Sequence, residues 1–193
     1  MNHPLTDSKK QLRKQIQEKI RRLDAAYTAE ADARIVRNLL SLPEYRAAGT
    51  VFCFVGTDHE INTVPFLRQS LDDGKTLCVP LCVGKRTMEA RQITSLSQLK
   101  TGFYGISEPD PDTSPKVDPR SIGFAVIPCV TCSRSGDRLG HGGGYYDVFF
   151  SLCPDIPSAM ICREAVMCED IPREAHDLAF PVVVTEAGVY RKK

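Results

Sequence analysis

The feature that most narrows the fold is a set of short, strongly apolar runs, several of them unbroken: "TVFCFV" from Thr50, "LCVPLCV" from Leu77, "FAVIPCV" from Phe124 and "PVVVTEAGVY" from Pro181. A strand with one face in water alternates apolar and polar residues, whereas a strand covered on both faces has no polar side to show. These runs are too short for buried helices and are rich in β-branched and aromatic residues. "EARQI" and "SAMICREAV" read as further strands. Helical patterns surround them. Leu12, Ile16, Ile20 and Leu23 fall on one stripe between Leu5 and Leu23; a second helix is predicted from about Thr28, as N-cap, to Leu42 before Pro43; a third runs from about Thr63 to Asp73. The expected fold class is α/β, a three-layer α/β/α sandwich with a mainly parallel sheet. "SEPDPDTSPKVDPRS", residues 107–121, carries four prolines and no periodicity, so it reads as a loop inside a single domain spanning 1–193.

One loop stands apart chemically. "GDRLGHGGGYYD", residues 136–147, follows the strand-like "IGFAVIPCV" and precedes "YYDVFFSL", which has the apolar density of a helix. Gly140, Gly142, Gly143 and Gly144 together cost chain entropy, and that cost points to a ligand approached closely by backbone. Strand, glycine loop and helix in this order aim successive N–H groups and the positive end of a helix at an anion, with phosphate the first candidate. The loop is neither a P-loop, since no Lys-Ser or Lys-Thr follows Gly142, nor a dinucleotide fingerprint, since Tyr145 sits where its last glycine belongs.

Charge confines such a site to a local pocket. With 25 basic and 24 acidic residues the chain carries a net +1, which provides no overall field for nucleic acid or anionic membrane. At 193 residues it is long enough to bury a large core without staples. No run approaches a membrane span, and "MNHPLTDSKK" lacks the apolar core of a secretory signal. The expectation is a cytoplasmic protein. Its eight cysteines lie mostly in apolar runs and read as reduced small hydrophobes. Cys129 and Cys132 form a C-x-x-C, but no second pair lies at ribbon spacing and the next thiol, Cys153, is alone; a four-ligand zinc would need scattered partners.

At about 100° per residue, Lys9 falls inside the apolar arc of the first helix and Arg13 just beyond its edge, so two cations turn towards the body. Snorkelling explains either one alone. Together with the glycine loop they make an anion site.

"KKQLRKQI", "DHEIN", "GDRLGHGGGYYD" and "PREAHD", in this order from about Ser8 to Val189, make the chain resemble the 5-formyltetrahydrofolate cyclo-ligase (5,10-methenyltetrahydrofolate synthetase) family. The resemblance implies a fold shared with the NagB/RpiA/CoA-transferase-like group. It implies ATP- and Mg²⁺-dependent closure of 5-formyltetrahydrofolate to 5,10-methenyltetrahydrofolate through an iminium phosphate, with a small-molecule substrate, no nucleic acid or membrane partner, and a monomer. On the matching positions it implies that Lys9, Arg13 and the loop Arg138, Leu139, Gly140, His141, Gly142, Gly143, Gly144, Tyr145 and Tyr146 bind the nucleotide. Arg138 and Asp147 would be catalytic, and Asp147 and Asp177 would hold magnesium. Val55, Glu60 and Tyr145 would contact the folate. Which of Tyr145 and Tyr146 faces the ligand stays open, as does whether His141 faces solvent or phosphate; His176 is a candidate supporting residue beside Asp177. The chain departs from the family's P-G-x-A-F-D in "PCVTCS", with Cys129 for glycine, Cys132 for the aromatic and Ser133 for the acid; Gly143 replaces a lysine of some relatives, and Phe180-Pro181 a more usual acidic position. The other readings are a small-molecule phosphotransferase on the same scaffold and a non-catalytic nucleotide or RNA binder.

Overall fold

The computed structural model describes residues 4–102, 106–174 and 177–192. Three helices, α1 (Pro4–Arg21), α2 (Ala25–Ser41) and α3 (Pro43–Ala47), precede β1 (Thr50–Cys53). Helix α4 (Val64–Asp72) leads to β2 (Thr76–Gly84) and β3 (Thr87–Ile93), followed by β4 (Leu99–Thr101), β5 (Ser107–Pro109) and β6 (Lys116–Val117). After β7 (Phe124–Ile127) come β8 (Thr131–Cys132), β9 (Arg138–Leu139), α5 (Tyr145–Ser151), β10 (Ser158–Ile161), β11 (Val182–Val184) and β12 (Val189–Arg191).

Among the described residues the main sheet has the order β12-β11-β10-β7-β1-β2-β3-β6. Its centre, from β11 to β2, is parallel, and β12, β3 and β6 add antiparallel edges. Strand alternation splits the core in two. Val51 and Cys53 of β1, with Phe124 and Val126 of β7, face Ile35 and Leu39 of α2 and Phe66 and Leu67 of α4. Phe52, Ala125 and Ile127 face the opposite layer, where Ile16 of α1 and Phe149 and Phe150 of α5 pack. Phe52 stacks on Phe149 with ring centres 5.0 Å apart. Helices on both sides are the reason these strands read as unbroken apolar runs, and the fold is the three-layer α/β/α architecture expected.

Some boundaries differ from the sequence reading. Helix α2 begins earlier, because Asp24 and not Thr28 caps it, accepting the N–H groups of Ala26 (2.9 Å) and Tyr27 (3.0 Å). "PVVVTEAGVY" is two antiparallel strands, β11 and β12, closed where Thr185 N–H donates to Gly188 O at 2.9 Å. "SAMICREAV" stays extended only to Ile161 and then tightens into a 3₁₀ turn over Glu164–Val166. Residues 107–121 are not all loop: β5 pairs with β4, and β6 forms the sheet's edge, a place where nearby prolines remove few ladder bonds. All eight cysteines are free, but Cys153 is not the thiol nearest the C-x-x-C in space; it donates to Phe149 O, while Cys162 joins Cys129 and Cys132.

The β8–β9 turn meets the segment leading into β11 at Gly136. Its φ is +90°, and a Cβ there would sit 1.9 Å from Phe180 O. The Gly136 carbonyl accepts Phe180 N–H at 2.9 Å, and Phe180 packs edge-on against Phe150. Gly136→Ala is therefore expected to cost about 1–3 kcal/mol from the backbone conformation alone, with the overlap added to it. A urea midpoint equal to that of the parent would refute this placement.

Candidate active site

From β1 the chain crosses through α4 to β2 on one side, while β7 continues to β10 and β11 on the other. The carboxyl ends of β1 and β7 thus flank the point where the winding reverses, the usual place for a crevice in such sheets. A cleft of about 490 Å³ opens there, within the range of small-molecule sites. Phe54, Val55, Pro80 and Met88 form its apolar side; Tyr145 and Tyr146 close it, and Glu60, Arg138, Gly140 to Gly144 and Asp147 supply its polar groups.

The glycine loop does not leave β7 directly. A small hairpin, β8 with β9, intervenes and delivers Arg138 and Leu139 to the loop's start. Gly142 and Gly144 have φ of +95° and +71°, backbone that side chains rarely adopt. Guanidinium groups press against the loop. A Cβ on Gly140 would meet Arg138 Nη2 at 2.7 Å, and one on Gly142 would lie 3.5 Å from Arg13 Cζ. Arg13 Nε donates to Gly140 O at 2.7 Å, so the second cation of α1 does turn inward.

Arg138 is held on three sides. Its Nε donates to Pro128 O at 2.9 Å, its Nη1 lies 3.4 Å from Asp147 Oδ1, and its guanidinium stands 5.4 Å from the centre of the Tyr146 ring. Only 6% of the side chain is exposed, so the charge is preorganised. Lys9 is buried and donates to Asp177 Oδ2 at 2.6 Å and Glu174 Oε2 at 2.7 Å. Burial pulls its pKa down, but the bonds to Asp177 and Glu174 outweigh that and hold it above its ordinary value. Arg13 feels Asp177, Arg138 and Asp147 electrostatically, and burial leaves its pKa below the ordinary range. The α1 cations, Arg138 and both aspartates therefore form one charge cluster behind and beside the loop.

Opposite it, Glu60 Oε2 accepts Thr57 N–H at 3.0 Å and Thr57 Oγ1–H at 2.9 Å, and Oε1 lies 3.1 Å from His141 Nε2. Burial pushes the Glu60 carboxyl up, yet the bonds from His141 and Thr57 hold it below its usual value. His141, exposed as a whole, thus spends its ring nitrogen on Glu60, a pairing neither sequence alternative contained. Both tyrosines reach the cleft; Tyr146 does so at the meeting of the two cores, with Arg138 over its ring. Leu139 does not. Its side chain is 1% exposed and its carbonyl accepts Val130 N–H, so it belongs to the core. Lys9, Arg13 and Asp177 are not among the cleft's lining residues. His176 lies outside the described residues.

Two supporting pairs escaped the sequence reading. Arg163 donates from Nε and Nη2 to the two oxygens of Asp32, at 2.7 and 2.9 Å, and from Nη2 to Glu60 O at 2.8 Å. Asp32 also accepts Asn62 N–H at 2.9 Å, so this buried pair fixes the segment that presents Glu60. An acid on the apolar stripe beside Ile35 and Val36 was the available signal. Glu174, three residues before Asp177 in "PREAHD", shares Lys9 with it.

Loop N–H groups with the Arg13 and Arg138 guanidiniums set against the loop make a donor set suited to an anion with several charged oxygens. The carboxylates of Asp147 and Asp177 are hard oxygen donors of the kind that suit Mg²⁺ beside phosphate.

The family model described as "5-formyltetrahydrofolate cyclo-ligase family" matches residues 5–186. The 5-formyltetrahydrofolate cyclo-ligase of Escherichia coli K12 is 25% identical over 182 residues, covering 91% of this chain and 98% of that protein. A Schizosaccharomyces pombe relative is 28% identical over 120 residues, 61% of this chain and 59% of that protein. The NMR structure of Aquifex aeolicus 5,10-methenyltetrahydrofolate synthetase superposes with a TM-score of 0.83 at 28% identity, over 96% of this chain and 93% of that one. With the match running through the glycine loop and all but the last strand, the chain belongs to the 5-formyltetrahydrofolate cyclo-ligase family.

Proposed function

We propose that the protein closes 5-formyltetrahydrofolate to 5,10-methenyltetrahydrofolate with consumption of ATP, releasing ADP and phosphate. The observation that carries this reading is the joining of an apolar cleft to a glycine loop gripped by two guanidiniums, with Glu60 on the facing side. An N-formyl oxygen is a poor leaving group. Transfer of the terminal phosphoryl group to it gives an iminium phosphate, which the N10 amine attacks before the C–O bond to phosphate breaks.

Each residue then has a defined task. Arg13, Arg138 and the N–H groups of Gly142 to Gly144 would hold the polyphosphate, and Arg138, already fixed by Pro128 O and Asp147, meets developing charge without reorganising. Asp147 and Asp177 would hold Mg²⁺, which when bound offsets charge on the phosphate oxygens. Val55 and Tyr145 wall the folate side, and Glu60 presents an ionised carboxylate to ring nitrogens of the substrate. Among the described residues no helix is long and apolar enough to cross a membrane.

The test is the absorbance of the methenyl product with purified protein. Turnover is expected only when 5-formyltetrahydrofolate, ATP and Mg²⁺ are all present. Turnover without nucleotide, or none with any nucleotide, would overturn the reading, and phosphoryl transfer to other small molecules without cyclisation would replace it.

Lys9 provides a comparison within one helix. It is buried against Asp177 and Glu174, whereas Lys10, its chain neighbour, is exposed. Lys9→Ala is expected to raise the KM for ATP about tenfold or more, and Lys10→Ala to leave it unchanged, since loss of a hydrogen bond to a charged group is worth about 1.5–3 kcal/mol. Equal kinetic effects would show that α1 is not presented in this way.

A further inference from the structure

The C-x-x-C that the proposed reaction leaves unused acquires a third member in space. Cys129 follows β7, Cys132 lies in β8 and Cys162 follows β10, and their Sγ atoms all lie within 4.8 Å of one another. Cys132 and Cys162 are 0% and 2% exposed, while Cys129 is only half-buried. Among the described residues this is the one group of three potential metal ligands so arranged. Cys132 and Cys162 belong to the core beneath α1 and α5, with Cys129 packed against it, and within that core the three sulfurs converge on one point.

We propose that Cys129, Cys132 and Cys162 form a thiolate site for a soft d¹⁰ metal ion, with Zn²⁺ as its occupant. Three points within 4.8 Å of one another leave one position within about 2.8 Å of all three sulfurs, and a zinc–thiolate bond is about 2.3 Å, so closure needs sulfur movements of no more than about half an ångström. The framework is rigid where it matters. Strands β7 and β10 are adjacent and parallel, with Met160 opposite Ile127, so Cys129 and Cys162 leave the sheet side by side. The β8–β9 pairing of Cys132 with Arg138 sets the third sulfur's backbone. An odd number of converging thiols also suits a metal better than a disulfide, which would use two and strand the third.

The sulfurs make weak contacts that a metal would replace: Cys129 Sγ–H donates to Ile161 O at 3.3 Å and Cys162 Sγ–H to Arg163 O at 3.5 Å. Binding exchanges three S–H bonds for three Zn–S bonds and releases the protons to water, with no electron transferred. Three soft anionic ligands select zinc or copper(I) over magnesium, so this site would not compete for the ion proposed at Asp147. The coordination would be incomplete on one side. Cys129 and Cys162 line a cavity of about 210 Å³ that adjoins the cleft, sharing Glu60 and His141 with it, so a fourth ligand would enter from there as solvent or a small molecule. Cys168 is near in backbone only: its N–H donates to Cys132 O, but its thiol turns to Asp170 O.

Cobalt titration decides the matter. Full-length protein, reduced and stripped with chelator, should bind one equivalent of Co²⁺ with a thiolate-to-cobalt charge-transfer band, and one equivalent of Zn²⁺ should bleach it. Cys129→Ser and Cys132→Ser should abolish the band, and Cys153→Ser, remote from the cluster, should retain it. Cys132 is fully buried and its variant can fail to fold; the half-buried Cys129 variant, checked by circular dichroism, carries the test in that case. A folded parent protein without the charge-transfer band, or a band undiminished in the folded Cys129 variant, would overturn the proposal.

Discussion

Asp147→Asn is expected to lower turnover of 5-formyltetrahydrofolate about 100-fold while changing ATP affinity far less. The substitution keeps size and an acceptor oxygen but removes the charge that would hold Mg²⁺ against the phosphates. It also turns the charge-assisted contact from Arg138, 3.4 Å long, into a weaker one to a neutral amide oxygen, while Pro128 O and the Tyr146 ring still position that guanidinium. In the proposed reading Arg13, Arg138 and the loop amides would dock the nucleotide, and all are still present, so the loss should fall chiefly on the transition state. The contact is long, about a third of the Asp147 side chain is exposed, and Arg138 keeps its bond to Pro128 O, so the fold should survive the change. Excess Mg²⁺ should restore part of the rate. A variant that matches the parent across a magnesium titration would reduce Asp147 to an electrostatic partner of Arg138.

Gly142→Val is expected to weaken ATP binding at least about 100-fold with a native circular dichroism spectrum. At φ +95° a β-branched residue is strained by about 1–3 kcal/mol. Its Cβ would lie 3.5 Å from Arg13 Cζ, and its methyl groups, further out, would enter the space between that guanidinium and the loop. Gly142 is exposed, so the cost falls on the loop and not on the core. Calorimetric titration with ATP checks it. Parent-like affinity in a folded Gly142→Val protein would show that the loop is only a turn.

The residues behind both predictions were visible in the chain before any contact was known. Asp147 and Gly142 stand in one uninterrupted motif, and a motif of this kind is a local object: its glycines and its following helix depend on backbone freedom within a few residues. Lys9 and Arg13 were legible for a similar reason, since helical periodicity alone sets which side of α1 they share with Ile16. Where the local rules failed, neighbouring groups competed. Asp24 took the cap from Thr28, and Leu139, though inside the motif, was drawn into the core by the β8–β9 pairing.

The long helices and the central buried strands were legible in the chain, because their periodicities are properties of a few consecutive residues, whereas the short pairs β4–β5 and β8–β9 were not. The family was legible as well, through four short motifs in a fixed order. Which distant groups meet follows from the packing of the whole chain. Lys9 bonds Asp177 across 168 positions, Asp32 grips Arg163 across 131, and Cys162 completes a cluster with Cys129 and Cys132. None of these meetings has a local period. Each follows from the order β11-β10-β7-β1-β2, which sets the ends of β7 and β10 side by side and turns the cleft between β1 and β7 towards the loop, and that order is chosen by how both faces of the whole sheet are covered at once.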